Sequence, residues 1–206
     1  MGSHSVKTAQ NLILIGSTGR NAGKTTLAAA LIKKLCEQRL INAAKIITVE
    51  RKGALCPHGG KGCGACSLER DFVLCEEHAC LTSKDTAGLL MAGANRVFLL
   101  RSLKQALLSA FTELRRQAGN QTLIAESNSL RTVVKPAFFV MLTNGNIQPK
   151  PSAQAVMEAA DLIVSAPFTE NDLVRILAHI LARLSFPKQK DIQPLAALRP
   201  TGTPPH

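Results

Sequence analysis

The stretch Gly16-Ser-Thr-Gly-Arg-Asn-Ala-Gly-Lys-Thr-Thr26 constrains this chain more than any other, because it joins a short apolar run to a helical pattern through small residues and one lysine. Asn11-Leu-Ile-Leu-Ile15 has the β-branched and leucine character of a buried strand, and Leu27, Leu31, Ile32 and Leu35 recur at helical spacing between Thr26 and Leu40. Strand, glycine loop and helix in that order are the layout of a phosphate-binding P-loop. A polyphosphate needs consecutive backbone N–H donors at close range, and Gly19 and Gly23 leave the backbone free to supply them. The expected nucleotide cradle is therefore Gly19, Arg20, Asn21, Ala22, Gly23, Lys24, Thr25 and Thr26. In it Lys24 reaches the β- and γ-phosphates, Thr25 offers a hydroxyl to Mg²⁺, and the helix N-terminus adds partial positive charge. Thr18 stands where the strict G-x-x-x-x-G-K-[ST] form has its first glycine. Gly19 stands where the deviant, dimer-sensing loops carry a lysine, so no trans-acting lysine is expected from that position.

Beyond the loop, strands and helices alternate. Ala44 to Glu50 reads as a second buried strand ending in a carboxylate, and the pattern then breaks from Arg51 to Ser83 into an inserted loop of glycine, cysteine and charge. Regular structure resumes with a helix from Lys84 to Ala94, a strand at Arg96–Leu100, and a helix from Leu103 to Gln117 with Ser102 as its N-cap. Further strands are expected at Gln121–Glu126, Pro136–Leu142 and Asp161–Ser165, with a short helix over Ser152–Ala160. Thr169 then caps an amphipathic helix that buries Leu173, Val174, Ile176, Leu177, Ile180, Leu181 and Leu184. Such βαβ alternation predicts right-handed crossovers and a three-layer α/β/α domain with a mostly parallel sheet. The domain is expected over 11–185 with 51–83 as its insertion, residues 1–10 as tag or disorder, and 186–206 as a proline-rich disordered tail.

Charge and composition narrow the partners. A formal net charge of +11 suits phosphate-rich ligands or an acidic partner, but the absence of Trp and Tyr and the presence of only 7 Phe remove the stacking platforms of a single-strand nucleic-acid binder. No apolar run approaches the ~20 residues that cross a bilayer, and the N-terminus lacks a signal h-region, so a cytoplasmic protein is expected.

A Mg²⁺-nucleotide site needs an acidic residue at a strand tip beside the loop. Glu126, closing Thr-Leu-Ile-Ala-Glu, is the first candidate, with Glu50 and then Asp85 behind it. On the loop with Gly-Lys-Thr-Thr-Leu, the block Lys84-Asp-Thr followed by Ala92-Gly-Ala94, and the strand ending in Glu126, the chain resembles the molybdopterin-guanine dinucleotide biosynthesis protein B family of P-loop GTPase-like proteins over about residues 11 to 130. The resemblance implies phosphate and Mg²⁺ binding by Lys24 and Thr25, a metal role for Glu126, a switch role near the γ-phosphate for Asp85, and a homodimer. The chain differs from that family in Ser127, where the family has glycine, in Asn128-Ser-Leu-Arg131, and in its cysteine cluster. It carries no Asn-Lys-x-Asp guanine-reading motif near the last strand, which leaves ATP and GTP both open.

Five of the six cysteines fall in the inserted loop, at Cys56, Cys63, Cys66, Cys75 and Cys80, with His58 and His78 among them. Thiolates grouped in a glycine-rich loop of a cytoplasmic chain point to a metal centre, with Cys63-x-x-Cys66 as the chelating pair. Cys75-x-x-His78 completes a zinc tetrahedron, whereas Cys56 with Cys75 or Cys80 completes an iron–sulfur pattern. Free or redox-active thiols are the remaining reading. Cys36, on the first helix, reads as a small buried apolar residue.

The function expected from these features is Mg²⁺-dependent binding and hydrolysis of GTP or ATP, coupled to cofactor biosynthesis or metal-cofactor maturation with a partner protein. Lys24, Glu126 and Asp85 are the catalytic candidates. The alternatives are an ATP-dependent small-molecule ligase or kinase of the dethiobiotin-synthetase type, and a nucleotide-binding metal chaperone or adaptor without useful turnover.

Overall fold

In the computed structural model, residues 6–49, 68, 70–77, 84–145 and 148–184 are described, Lys84 and Asp85 by their backbone alone. They form one seven-stranded sheet in the order β3-β4-β2-β5-β1-β6-β7. The strands are β1 (Lys7–Ser17), β2 (Ile41–Val49), β3 (Phe72–Glu77), β4 (Arg96–Leu103), β5 (Thr122–Glu126), β6 (Val134–Thr143) and β7 (Leu162–Ser165). All neighbouring pairs are parallel except β3 with β4, which is antiparallel. The helices are α1 (Lys24–Leu35), α2 (Lys84–Met91), α3 (Leu107–Ala118), the single-turn α4 (Pro151–Gln154) and α5 (Glu170–Arg183).

Successive strand residues point to opposite faces, and both faces of this sheet are covered, so its central strands are continuous apolar runs. Along β1, Ile13 and Ile15 pack with Leu27, Leu31 and Ile32 of α1, Leu89 of α2 and Leu173, Ile176 and Ile180 of α5. Their neighbours Leu12 and Leu14 pack on the other face with Leu107, Phe111 and Leu114 of α3. β5 is buried along its whole length, including Glu126, which is only 4% exposed. Among the described residues no helix is long and apolar enough to cross a membrane.

Several boundaries differ from expectation for reasons of pairing. β1 begins at Lys7, inside the stretch expected as tag or disorder, because the Lys7 N–H donates to Val133 O (3.2 Å) and the strand runs on against β6. β3 lies within the expected inserted loop; it pairs Phe72 to Glu77 with Ser102 back to Val97 of β4. Ser102 is consequently a strand residue, paired with Thr48 on one side and Phe72 on the other, rather than a helix cap. The chain then passes through a 3-10 turn, Lys104–Ala106, before α3 starts. α1 ends at Leu35, short of Leu40, and the helix expected over 152–160 is α4 followed by a 3-10 turn at Met157–Ala159. The cap expected at Thr169 is present as a full capping box: Thr169 accepts from the Asp172 N–H and Asp172 accepts from the Thr169 N–H. Val174 and Leu181, expected on the buried side of this helix, are exposed; the stripe that packs on the sheet is Leu173, Ile176 and Ile180.

Candidate functional site

β1 and β5 are parallel neighbours, so their carboxyl ends emerge on one edge of the sheet, where open α/β sheets gather their ligands. The chain leaves β1 at Ser17 and turns into α1 at Lys24. Two residues of the turn are left-handed, Asn21 (φ 54°) and Gly23 (φ 82°), and Gly23 is the N-cap of α1. At Gly23 the glycine is required by the backbone. Gly16 is required by space, since a Cβ there would lie 2.8 Å from Asn128 Oδ1 and 2.9 Å from the Phe139 ring. Gly19 is neither left-handed nor crowded; its nearest neighbour, Asn144, would stand 3.4 Å from an added Cβ.

The turn is held by groups from four segments. The Asn128 carboxamide clamps Ser17, accepting from its N–H at 2.8 Å and donating to its carbonyl at 2.9 Å. Thr18 is 2% exposed: its N–H donates to Leu142 O (2.9 Å), its carbonyl accepts from the Lys150 N–H (3.1 Å), and its hydroxyl accepts from the Asn144 N–H (3.1 Å). A threonine is accommodated at the first motif position because its hydroxyl joins the turn to the segment after β6. Lys24 Nζ donates to Ser17 Oγ at 2.8 Å, and Ser17 Oγ donates to Gly19 O at 2.7 Å, so the lysine is folded back over the turn it follows. Thr25, one residue on, donates from Oγ1 to Glu126 Oε2 at 3.1 Å across 101 residues of sequence.

A cavity of roughly 480 Å³ opens beside this turn. Among the described residues, Arg20, Lys24, Lys45 and Lys150 line it together with the carboxylate Glu126. Burial pushes the Lys24 ammonium down from its ordinary value, Lys150 and Lys45 push it further, and Glu126 opposes them. Burial, then Arg20, does the same to Lys150. A partly desolvated site that also brings cations together favours an anion, which offsets both the burial and the repulsion.

Thr25 and Glu126 also answer whether these residues suit Mg²⁺. Two hard oxygen groups, one of them a carboxylate that is nearly buried, meet at 3.1 Å on the rim of a cationic cavity. That donor set fits a cation which takes one or two protein oxygens and fills the rest of its shell from phosphate and water.

Of the residues singled out in the sequence, Lys24, Thr25 and Glu126 are brought together, and Arg20 joins them on the cavity wall. Asp85 falls in the first turn of α2, and its side chain lies outside what is described. Glu50, Cys56, Cys63, Cys66, Cys80, His58 and His78 also lie outside the described residues. Cys75 is exposed on β3. Among the described residues no three His, Cys, Asp or Glu side chains group to hold a metal ion. Cys36 is partly buried and contacts main-chain oxygens of Lys33 and Ala92, as a small core-edge residue does.

Sequence reasoning missed Ser17, Asn128, Lys45 and Lys150. Asn128 and Ser17 stood beside the recognised motifs, but nothing local indicated that they bond to one another. Comparison with family models, with curated proteins and with solved structures returned no match to the chain.

Proposed function

We propose that this chain is a P-loop nucleotide-binding protein that takes up a Mg²⁺-nucleoside triphosphate at residues 19–26 and hydrolyses it in the service of cofactor assembly or metal-cofactor maturation. The observation that carries this reading is the convergence of Lys24, Thr25 and Glu126 at one end of a cavity lined by four cations. Lys24 is flexible and already desolvated, so a phosphate oxygen can replace Ser17 Oγ as the partner of its ammonium. Backbone N–H groups at the start of α1, with Gly23 left-handed ahead of them, supply further donors. Thr25 and Glu126 would hold Mg²⁺, whose chemistry there is to offset phosphate charge. Glu126 orients the Thr25 hydroxyl, and Arg20 stands at the mouth of the cavity as a second cation for the polyphosphate. Rate enhancement in such a site is positional and electrostatic.

The coupling to cofactor assembly, the homodimer and the partner protein rest on the family resemblance. The zinc or iron–sulfur centre in the cysteine loop rests on the spacing of its thiols. The nucleotide is ATP or GTP.

Lys24→Ala tests the reading. Truncation removes charge-assisted bonds to phosphate, and loss of two of these predicts a fall of about 100-fold in affinity for ATP or GTP by calorimetric titration. Because the folded protein holds the Lys24 ammonium at a cost, the variant should unfold at or above the wild-type temperature. Unchanged nucleotide affinity in a folded variant rejects the assignment.

A further inference from the structure

Part of the cavity wall comes from Lys150 and Ser152, and the chain there is fastened to the glycine turn. Thr18 bonds to the end of β6 and beyond it at three points: its N–H donates to Leu142 O, its hydroxyl accepts from the Asn144 N–H, and its carbonyl accepts from the Lys150 N–H. Lys150 stands between Pro149 and Pro151. A residue before proline is confined to extended backbone, and Lys150, the N-cap of α4, has φ −64° and ψ 154°. Its carbonyl accepts from the N–H groups of Ala153 (2.8 Å) and Gln154 (3.1 Å). With its N–H and carbonyl both engaged and one torsion restricted, the side chain departs from a fixed base. Asn128, the clamp on Ser17, braces the same segment by donating from Nδ2 to Ser152 Oγ at 3.4 Å.

From that base the half-buried Lys150 side chain lines the cavity with Arg20 and Lys24. Among the described residues no carboxylate pairs with its ammonium. Arg20 is the charged group that acts on it, and, after burial, Lys150 is the foremost influence lowering the Lys24 ammonium. Three cations thus stand within electrostatic reach on two segments that Thr18 joins, at a cost in desolvation and repulsion that an anion offsets. Residues 19–26 offer amides to phosphates lying in the turn, whereas the cavity is walled by Glu126 to Ser129 past the end of β5. The metal of such a site bridges the last two phosphates, so the phosphate that reaches the cavity beside Glu126 is the terminal one. We propose that Lys150 is a catalytic residue of the triphosphate site, its ammonium binding the terminal phosphate from the segment after β6 while Lys24 binds from the turn. The role rests on the triphosphate reading. In hydrolysis a water oxygen bonds to the terminal phosphorus, the bond to the bridging oxygen breaks, and its electron pair stays on the diphosphate. One proton of the water remains on inorganic phosphate and the other passes to solvent. Lys150 offsets the charge spread over the terminal oxygens, and its backbone bond to Thr18 holds it in place beforehand.

The test titrates Mg²⁺ complexes of a non-hydrolysable triphosphate analogue and of the matching diphosphate, in adenine and guanine forms, into the full chain as wild type, Lys150→Ala, Lys150→Gln and Lys150→Arg. Losing one charge-assisted bond to the terminal phosphate should lower triphosphate affinity about tenfold in the alanine and glutamine variants. Diphosphate affinity should hold within about twofold, and arginine should restore most of the loss. Phosphate release at saturating ATP or GTP should fall by about tenfold or more. The unfolding temperature should stay at the wild-type value, since the bond to Thr18 uses the Lys150 backbone; the glutamine variant decides where the alanine variant does not fold. Equal losses of diphosphate and triphosphate affinity, or phosphate release at the wild-type rate in the variants, overturn the role. So does wild type that binds triphosphate and releases no phosphate. Triphosphate into wild type is read first: no binding there rejects the nucleotide reading and this role with it, whereas binding that the Lys150 variants leave unchanged rejects the role of Lys150 alone.

Discussion

Truncating Asn128 to alanine should damage the site through its backbone. The carboxamide accepts from Ser17 N–H at 2.8 Å and donates to Ser17 O at 2.9 Å, and both bonds are buried. Alanine leaves two peptide groups without these partners, and an unsatisfied buried group costs about 1–3 kcal/mol. Asn128 itself lines the cavity, so water entering from that side recovers part of the loss. Taking the lower half of the range for each group gives about 2–4 kcal/mol in total, or a fall in Tm of roughly 5–15 °C for a domain of this size. Urea and thermal unfolding of Asn128→Ala would measure it against Asn11→Ala, whose amide donates to Asn120 O in an exposed setting and should cost about 0.5 kcal/mol. Asn128→Asp retains the acceptor and loses the donor, so it should fall between them. Ser17 also holds the Lys24 ammonium, so the alanine variant should weaken triphosphate binding as well as the fold. A stability loss no larger than that of Asn11→Ala refutes the clamp.

Glu126→Gln keeps an oxygen to accept from Thr25 but removes the charge, so nucleotide should still bind while Mg²⁺-dependent phosphate release is lost; turnover at the wild-type rate would move the role to Glu50 or Asp85. Cys63→Ser combined with Cys66→Ser should eliminate bound metal without affecting nucleotide affinity, and wild-type protein that carries neither zinc nor iron after aerobic and anaerobic preparation would leave only a loop of free thiols. Thr169→Ala should cost about 1 kcal/mol by removing the cap of α5, read by urea unfolding. The Thr169 backbone N–H, and then its hydroxyl, hold the Asp172 carboxyl below its ordinary 3.8, so Asp172 stabilises the fold above that pH and ceases to as pH falls through its folded value. The stability gap between wild type and Asp172→Ala should therefore be present at neutral pH and close in strong acid, and a gap independent of pH would refute the assignment.

The alternation of strands and helices was legible because burial on both faces makes β1 and β5 continuous apolar runs that composition alone reveals. Lys24, Thr25 and Glu126 were legible because their types and their places at element ends carry the chemistry. β3 was not: Phe-Val-Leu-Cys-Glu-Glu does not alternate cleanly, ends in two carboxylates, and owes its extended form to pairing with β4, from Glu77 opposite Val97 to Phe72 opposite Ser102. Ser102 failed as a cap for the same reason, since pairing on both sides carries β4 on through Leu103. Lys45 and Lys150 look like ordinary solvated lysines in the sequence. Only the sheet order, which sets β2 beside β5 and ties Lys150 N–H to Thr18 O, makes them neighbours of Lys24.

The reversed direction of β3 decides where the cysteine-bearing stretch is moored. Val49 ends β2 at the carboxyl rim, and Phe72, the first residue of β3, sits opposite Ser102 near the carboxyl end of β4. Val49, Leu68 and Leu103 pack together, and the Leu103 N–H donates to Asp71 O at 2.8 Å, so both moorings lie side by side at that rim. Both described ends of the stretch between Val49 and Leu68 are thereby fixed at the edge of the sheet that carries the cavity. β3 then leads away from it: six residues of strand carry the chain about 17 Å, so Glu77 ends the strand towards the opposite edge, opposite Val97 at the start of β4.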